Sequence, residues 1–237
     1  MLTFGSLFAG IGGFDLGFER ASMKCAWQVE IDPYCQKVLA KHWPHVRRHD
    51  DIKTFPPADG DWSVDVICGG FPCQDISYAG RGAGLEGERS GLFYEALRVV
   101  RELQPRVVVL ENVAALLTRG LDVVLGSLAE IGFDAEWHCL RTGLHLGHKR
   151  SRVFIIAYSN GKGLEGTWQH RATTGTQESK SVVATTACLP RPQPAPRVMR
   201  SVHGIPKRMD RIRGLGNAVV PQVAEWIGRR IIDGSAY

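Results

Sequence analysis

Hydrophobic positions along residues 1–158 alternate between short continuous runs and helical spacings. Thr3 to Phe8 is a strand-like run that opens into Ala9-Gly10-Ile11-Gly12-Gly13. Phe14, Leu16 and Phe18, with flanking polar residues, mark a helix to Arg20, and Lys24 to Val29 reads as a second strand. Asp32 suits an N-cap with Pro33 at the first helical position, and that helix is predicted to run to about Trp43, before Pro44. Val64 to Cys68 is the third clear strand, and Leu92 to Leu103 has helical spacing that Pro105 ends. Val107 to Leu110 is apolar at every position, as a strand buried on both faces requires. Leu121 to Ile131 reads as an amphipathic helix, and Ala135 to Leu140 and Val153 to Tyr158 as further strands. Strands and helices in alternation with short connections predict an α/β fold with a mostly parallel sheet covered on both faces. Such sheets bind ligands at the carboxyl ends of their strands.

The pattern breaks at Ser159. Residues 159–200 hold six Thr, four Gly and four Pro, with six basic residues against two acidic ones, and only Ser181 to Leu189 has strand character. Helical spacing returns over 201–220, and Pro221 to Ile232 reads as a closing helix.

Composition narrows the classes. Hydrophobic residues make up 44% and charged residues 22% of the 237, which excludes disordered and fibrous chains. No apolar run is long enough to span a bilayer. The start, MLTFGSLFAG, lacks the basic region that precedes a secretory signal, so a membrane association or leader is not expected. The six cysteines form no C-x-x-C pair, which fits a reducing cytoplasm rather than a disulfide framework or a zinc ribbon. The net charge of +5 divides unevenly: residues 1–140 carry 13 basic and 19 acidic side chains, and the remainder carries 16 and 5. An acidic first part joined to a basic second part suits a polyanion contacted from one side, and equally a solvated surface.

Several residues carry candidate chemistry. The glycine turn after the first strand lets a ligand approach the backbone beside a positive helix end. Glu30, at the end of the second strand, suits the two hydroxyls of a ribose. Asp51 and Ile52, near a possible further strand end, offer one polar and one apolar contact to an adenine. The dinucleotide fingerprint G-x-G-x-x-G is absent, which disfavours NAD and FAD. Cys73, on a turn set by Pro72, is a candidate nucleophile; a buried inert thiol is the alternative, and the one assigned to Cys68 inside its apolar strand. Glu111, after the Val107 to Leu110 run, suits a proton donor or a helix cap. Arg150 and Arg152 share one side of an extended segment and suit a carbonyl oxygen or phosphate. His42, His45 and His49 are separated by Pro44 and are not read as a metal site. Trp27, Trp43 and Trp62 read as packing residues.

Phe8 to Gly13, Phe71-Pro72-Cys73-Gln74, Glu111-Asn112-Val113, Arg150 with Arg152, and Gly216-Asn217-Ala218-Val219-Val220-Pro221-Gln222 occur in this order. Together they closely resemble the DNA cytosine-5 methyltransferases, over residues 2–158 and about 204–232. The resemblance implies a Rossmann-like, S-adenosylmethionine-dependent methyltransferase sheet with a small irregular recognition region. Residues 1–158 would be the catalytic and cofactor-binding domain, 159–203 a short variable target-recognition segment, and 204–237 C-terminal helices returning to the catalytic domain.

Under the resemblance, Cys73 adds to carbon 6 of a flipped-out cytosine, Glu111 engages ring nitrogen 3 and the exocyclic amine, and Arg152, supported by Arg150, holds the carbonyl oxygen. The chemistry needs no metal. Cofactor contacts carry over to Phe8, Gly10, Ile11, Gly12, Glu30, Ile31, Asp51, Ile52, Pro72, Leu92, Asn217 and Val219. The glycine-rich stretch from Gln74 to Ser90 would close over double-stranded DNA, with Gln74, Ser77, Arg81 and Arg89 as contacts. The closing helix would return beside the glycine turn and bring Asn217 to the cofactor. A monomer in a bacterial cytoplasm, of host or phage origin, is implied, with a cognate restriction endonuclease as a candidate partner. The chain departs from the family pattern at His148, at Asp50 in place of the usual glycine, and in the shortness of the segment from Ser159 to Arg200. An RNA-directed relative and a DNA-binding protein without catalysis stand as the alternatives.

Overall fold

Period-two burial explains the sheet. In the strand Val107–Val113, Val108 and Leu110 face one apolar cluster while Val107 and Val109 face the other. The computed structural model describes residues 1–72, 91–141, 151–159 and 208–234. Within them the order is β1 (Thr3–Leu7), α1 (Gly13–Arg20), β2 (Lys24–Val29), α2 (Pro33–His42), β3 (Arg47–His49) and β4 (Val66–Gly70). There follow α3 (Gly91–Leu103), β5 (Val107–Val113), α4 (Leu121–Glu130), β6 (Phe133–Arg141), β7 (Ser151–Ser159), α5 (Arg208–Asn217) and α6 (Pro221–Asp233). The seven strands form one sheet in the order β3-β2-β1-β4-β5-β7-β6. Neighbours from β3 to β5 run parallel, and β7 lies antiparallel between β5 and β6.

One face is covered by α3 and α4, through Phe93, Val99, Val100, Val124 and Leu128. The other is covered by α1 and α6, through Phe14, Phe18, Ala224, Ile227 and Ile231. Strand order reverses between β1 and β4, so their carboxyl ends flank a crevice of the kind that binds ligands in open α/β sheets. The α/β class and mostly parallel sheet match expectation. Trp27 and Trp62 are buried in the core, and Cys68 is fully buried in β4.

Two elements refine the sequence reading, and a third lies outside the described residues. β3 is a strand at the sheet edge, although Arg47-Arg48-His49 has no apolar signal; Arg47 instead lays its guanidinium over the Trp62 ring, 3.4 Å from the centroid. β5 continues three residues past Leu110, so Glu111 sits inside the strand rather than beyond it, and it caps no helix. Ser181 to Leu189 lies outside the described residues.

A fully buried carboxylate lies between the sheet and α1. Asp15 accepts hydrogen bonds from Ser6 Oγ at 3.1 Å, Gln28 Nε2 at 2.8 Å and the Cys25 thiol at 3.5 Å. Burial pushes its pKa from 3.8 to about 6, against the pull of these donors. Because the folded value is the higher one, Asp15 favours the folded state most fully below about pH 4. That contribution is lost as pH rises through 6, by roughly 3 kcal/mol in total. Wild type is therefore expected to lose stability relative to Asp15→Asn between about pH 4 and pH 6.5. Urea unfolding midpoints for both proteins across this range measure it, and parallel curves would refute it.

Candidate active site

The first turn of the site is built by backbone geometry. After β1, Phe8 takes a positive φ of 51°, a strained conformation for a bulky residue. The chain then folds back so that Ala9 N–H donates to Val29 O at 3.0 Å and Gly12 N–H to Ala9 O at 2.9 Å. Gly13 opens α1, and a Cβ there would come within 2.4 Å of the Val219 carbonyl oxygen. Glycine at this position is what lets the segment between α5 and α6 lie against the turn. Phe8, Ala9, Gly10, Gly13, Phe14, Gly70, Asn217, Ala218 and Val219 together line a cleft. The expected return of the C-terminal helices to the glycine turn is thus present: Val219 is buried against it and Asn217 reaches the cleft at an exposed position.

Glu30 follows β2 and faces the turn. One carboxylate oxygen accepts the Gly10 N–H at 2.6 Å and the other the Asp32 N–H at 2.7 Å. Burial pushes its pKa up, and the N–H groups of Asp32 and Gly10 oppose that shift. A carboxylate held this way keeps lone pairs for two further donors. Ile31, next in sequence, is 68% exposed, an apolar side chain left bare at a strand end. Asp51 caps a short 3-10 turn, Ile52–Thr54, by accepting the Lys53 N–H at 3.0 Å. The Ile52 side chain is buried in the core, and its carbonyl oxygen accepts from Arg98 at 2.7 Å. Pro72 and Leu92 are half-buried, Leu92 against the core under α3.

This set fits an adenosylated amino acid such as S-adenosylmethionine. A fixed carboxylate suits the ribose diol, and bare Ile31 suits the flat face of an adenine. Replacing Glu30 by alanine removes both the ribose acceptor and the anchor of Gly10. It is expected to weaken binding of S-adenosylhomocysteine by about 10- to 100-fold, or roughly 1.4–2.8 kcal/mol. Titration calorimetry measures this, and unchanged affinity would remove Glu30 from the site.

The second cluster lies where β4, β5 and β7 end together. Antiparallel pairing sets Glu111 opposite Phe154 and Val113 opposite Arg152. Arg152 Nε approaches Glu111 Oε1 at 2.7 Å, and only 8% of the Glu111 side chain and 21% of the Arg152 side chain are exposed. Gly70 leaves room for this carboxylate: a Cβ there would stand 2.9 Å from Glu111 Oε2. Asn112 Nδ2 donates to Phe71 O at 3.3 Å, tying the start of the Phe71-Pro72-Cys73 loop to β5. The predicted pair Glu111 and Arg152 is therefore brought together. Cys73, Gln74, Ser77, Arg81, Arg89 and Arg150 lie outside the described residues.

Sequence reasoning assigned no role to Asn112 or to Gln36. Gln36 Nε2 bridges Glu30 O at 2.7 Å and Asp50 Oδ1 at 3.1 Å, so the unusual Asp50 is tied to the end of β2. For Asn112 the signal was its place in the Glu111-Asn112-Val113 motif; for Gln36, half-buried on a helix, no signal existed.

The family model for C-5 cytosine-specific DNA methylase matches residues 2–191. Type II methyltransferase M.DsaV of Dactylococcopsis salina is 34% identical over 164 residues, covering 67% of this chain and 46% of that relative. M.Eco47II of Escherichia coli is 36% identical, covering 68% and 41%, and M.HhaI of Haemophilus parahaemolyticus is 33% identical, covering 67% and 50%. The chain thus spans half or less of the length of these relatives. Among solved structures, S. pombe Dnmt2 methyltransferase is similar in fold, with a TM-score of 0.57, 22% identity, and coverage of 69% of this chain and 52% of that one. A Spodoptera frugiperda DNMT2 mutant gives a TM-score of 0.57 at 18% identity, covering 72% and 54%. The sheet is therefore that of the Rossmann-like methyltransferases, and the chain belongs to the C-5 cytosine-specific DNA methylase family.

Proposed function

We propose that the protein is a DNA cytosine-5 methyltransferase acting on double-stranded DNA. The observation that carries this reading is the buried Glu111–Arg152 pair at the strand ends, beside the loop that leads to Cys73 and near the cleft bordered by the glycine turn. Bound S-adenosylmethionine supplies an electrophilic methyl group. Glu30 and Ile31 hold its adenosine, with Phe8, Gly10, Ile11, Gly12, Asp51, Pro72, Leu92, Asn217 and Val219 around it.

The cytosine leaves the duplex to be reached, at a cost of a few kcal/mol. Cys73 as thiolate forms a bond to carbon 6. Glu111 hydrogen-bonds ring nitrogen 3 and the exocyclic amine, which draws electrons through the ring and turns carbon 5 into the nucleophile. Arg152, with Arg150, holds the carbonyl oxygen. Once carbon 5 carries the methyl group, water takes its proton, the freed electron pair re-forms the carbon 5–carbon 6 double bond, and the Cys73–carbon 6 bond breaks to restore the aromatic ring and the thiolate. Gln74, Ser77, Arg81 and Arg89 contact the DNA, and residues 159–203 read the target. In this reading the protein acts as a monomer in a bacterial or phage-infected cytoplasm, with a cognate restriction endonuclease as a candidate partner.

The test is transfer of labelled methyl groups from S-adenosylmethionine to mixed-sequence DNA, with tRNA in a parallel arm. Label at carbon 5 of cytosine in DNA is the expected outcome, and bisulfite sequencing then reads the target. Label in tRNA alone, or none with folded protein, overturns the proposal.

A further inference from the structure

Asp15 takes no part in the chemistry above, yet it is fully buried and gathers donors from two strands. An unpaired apolar side chain would fill this space at lower cost, because a buried carboxylate loses its hydration. Its contacts fall in a regular relation to the cleft. Ser6 lies two residues before Phe8 on β1, Gln28 two residues before Glu30 on β2, and Asp15 two residues after Gly13 on α1. Ser6 and Gln28 are also paired in the parallel β1–β2 register. On the cleft side, the same elements are joined by Gly10 N–H to Glu30 and by Ala9 N–H to Val29 O. The turn is therefore tied to β2 twice, once by Glu30 in front and once by Asp15 behind.

We propose that Asp15 is a positioning residue for the cofactor, fixing the distance between the glycine turn and Glu30 through Ser6 and Gln28. This rests on the reading of the cleft as an S-adenosylmethionine site. A preorganised site binds more tightly because less ordering is left to the binding step, so losing one of two ties is expected to weaken cofactor binding about tenfold. Asp15→Ala should raise the dissociation constant for S-adenosylhomocysteine, and the KM for S-adenosylmethionine, by that factor, with kcat at saturating cofactor changed less than about twofold. Asp15→Asn keeps the shape, and its amide offers a donor to Gln28 Oε1, which has no hydrogen-bond partner among the described residues. It should recover binding to within about threefold of wild type. Ser6→Ala, a milder change, should weaken binding in the same direction and serves if Asp15→Ala does not fold.

Calorimetry with S-adenosylhomocysteine on the full chain reads the constants, and thermal unfolding is followed beside it. Lowered melting temperature with unchanged affinity in Asp15→Ala or Ser6→Ala overturns the inference, as does a fall in kcat with KM unchanged. A wild-type chain that binds no S-adenosylhomocysteine overturns the cofactor reading and this inference with it; equal binding by wild type and variants overturns this inference alone.

Discussion

Cys73→Ser is expected to abolish methyl transfer, lowering kcat by at least about 10³-fold while S-adenosylhomocysteine still binds. The proposed reaction needs a nucleophile that adds to carbon 6 and leaves again. An unperturbed thiol is a few per cent thiolate at pH 7 and is intrinsically very nucleophilic, whereas a serine hydroxyl remains protonated and hard. Phe71, two residues before it, is buried, and its carbonyl oxygen is held by Asn112, so the polypeptide leading to position 73 does not depend on the thiol. Methyl transfer to DNA is the readout, with cofactor binding as the check on folding. Full activity in this variant would refute covalent catalysis at Cys73.

The second large effect concerns Glu111. Glu111→Gln keeps size and burial but gives up the charge and the proton, and removal of a positioned acid–base group costs roughly 10²–10⁴-fold in rate. A fall of that order in kcat, with little change in the KM for S-adenosylmethionine, is expected. Arg152→Ala acts differently, since it leaves the Glu111 carboxylate buried without the guanidinium that lies 2.7 Å away. Breaking fully buried pairs costs about 3–5 kcal/mol of stability; with a fifth of the arginine side chain exposed, roughly 1–3 kcal/mol is expected here. Steady-state kinetics and denaturant unfolding separate the two variants. A Glu111→Gln enzyme as fast as wild type would remove this residue from the chemistry.

What was legible in the sequence follows from how local its cause is. β1, β2, β5 and the helices α2 and α3 were readable because apolar period and caps lie within a few residues: Asp32 caps α2 by accepting from Tyr34 N–H at 2.8 Å and Cys35 N–H at 3.1 Å, as its position before Pro33 suggested. β3 showed only as a possible strand end before Asp51, because a charged edge strand is held by β2 and by stacking on Trp62 rather than by its own apolar face. Glu30, Glu111 and Arg152 were each found as strand-end residues. The contact between the last two depends on β7 running antiparallel beside β5, a pairing between strands far apart in the chain. Ile52 was expected to offer an apolar surface to adenine, yet its side chain joins Trp27 and Phe55 in the core. Asp15 was only one of the polar residues flanking Phe14, Leu16 and Phe18, and the crossing of α1 over Ser6 and Gln28 is what buries it.

The way the chain leaves and re-enters the framework has a consequence for how such a protein changes its target. It departs from β7, which is clamped between β5 and β6, and is again within the framework at α5, where Gly214 meets Ile11, before α6 locks onto α1 through Gly17 and Gly228. Both flanks of residues 160–207 are thus secured by packing that owes nothing to the length between them. Doubling such a connection costs only about 0.6 kcal/mol in closure entropy. Under the proposed function, in which this stretch reads the target, it can be lengthened, shortened or exchanged while Glu111 and Arg152 keep their spacing, so that the choice of DNA sequence diversifies independently of the chemistry.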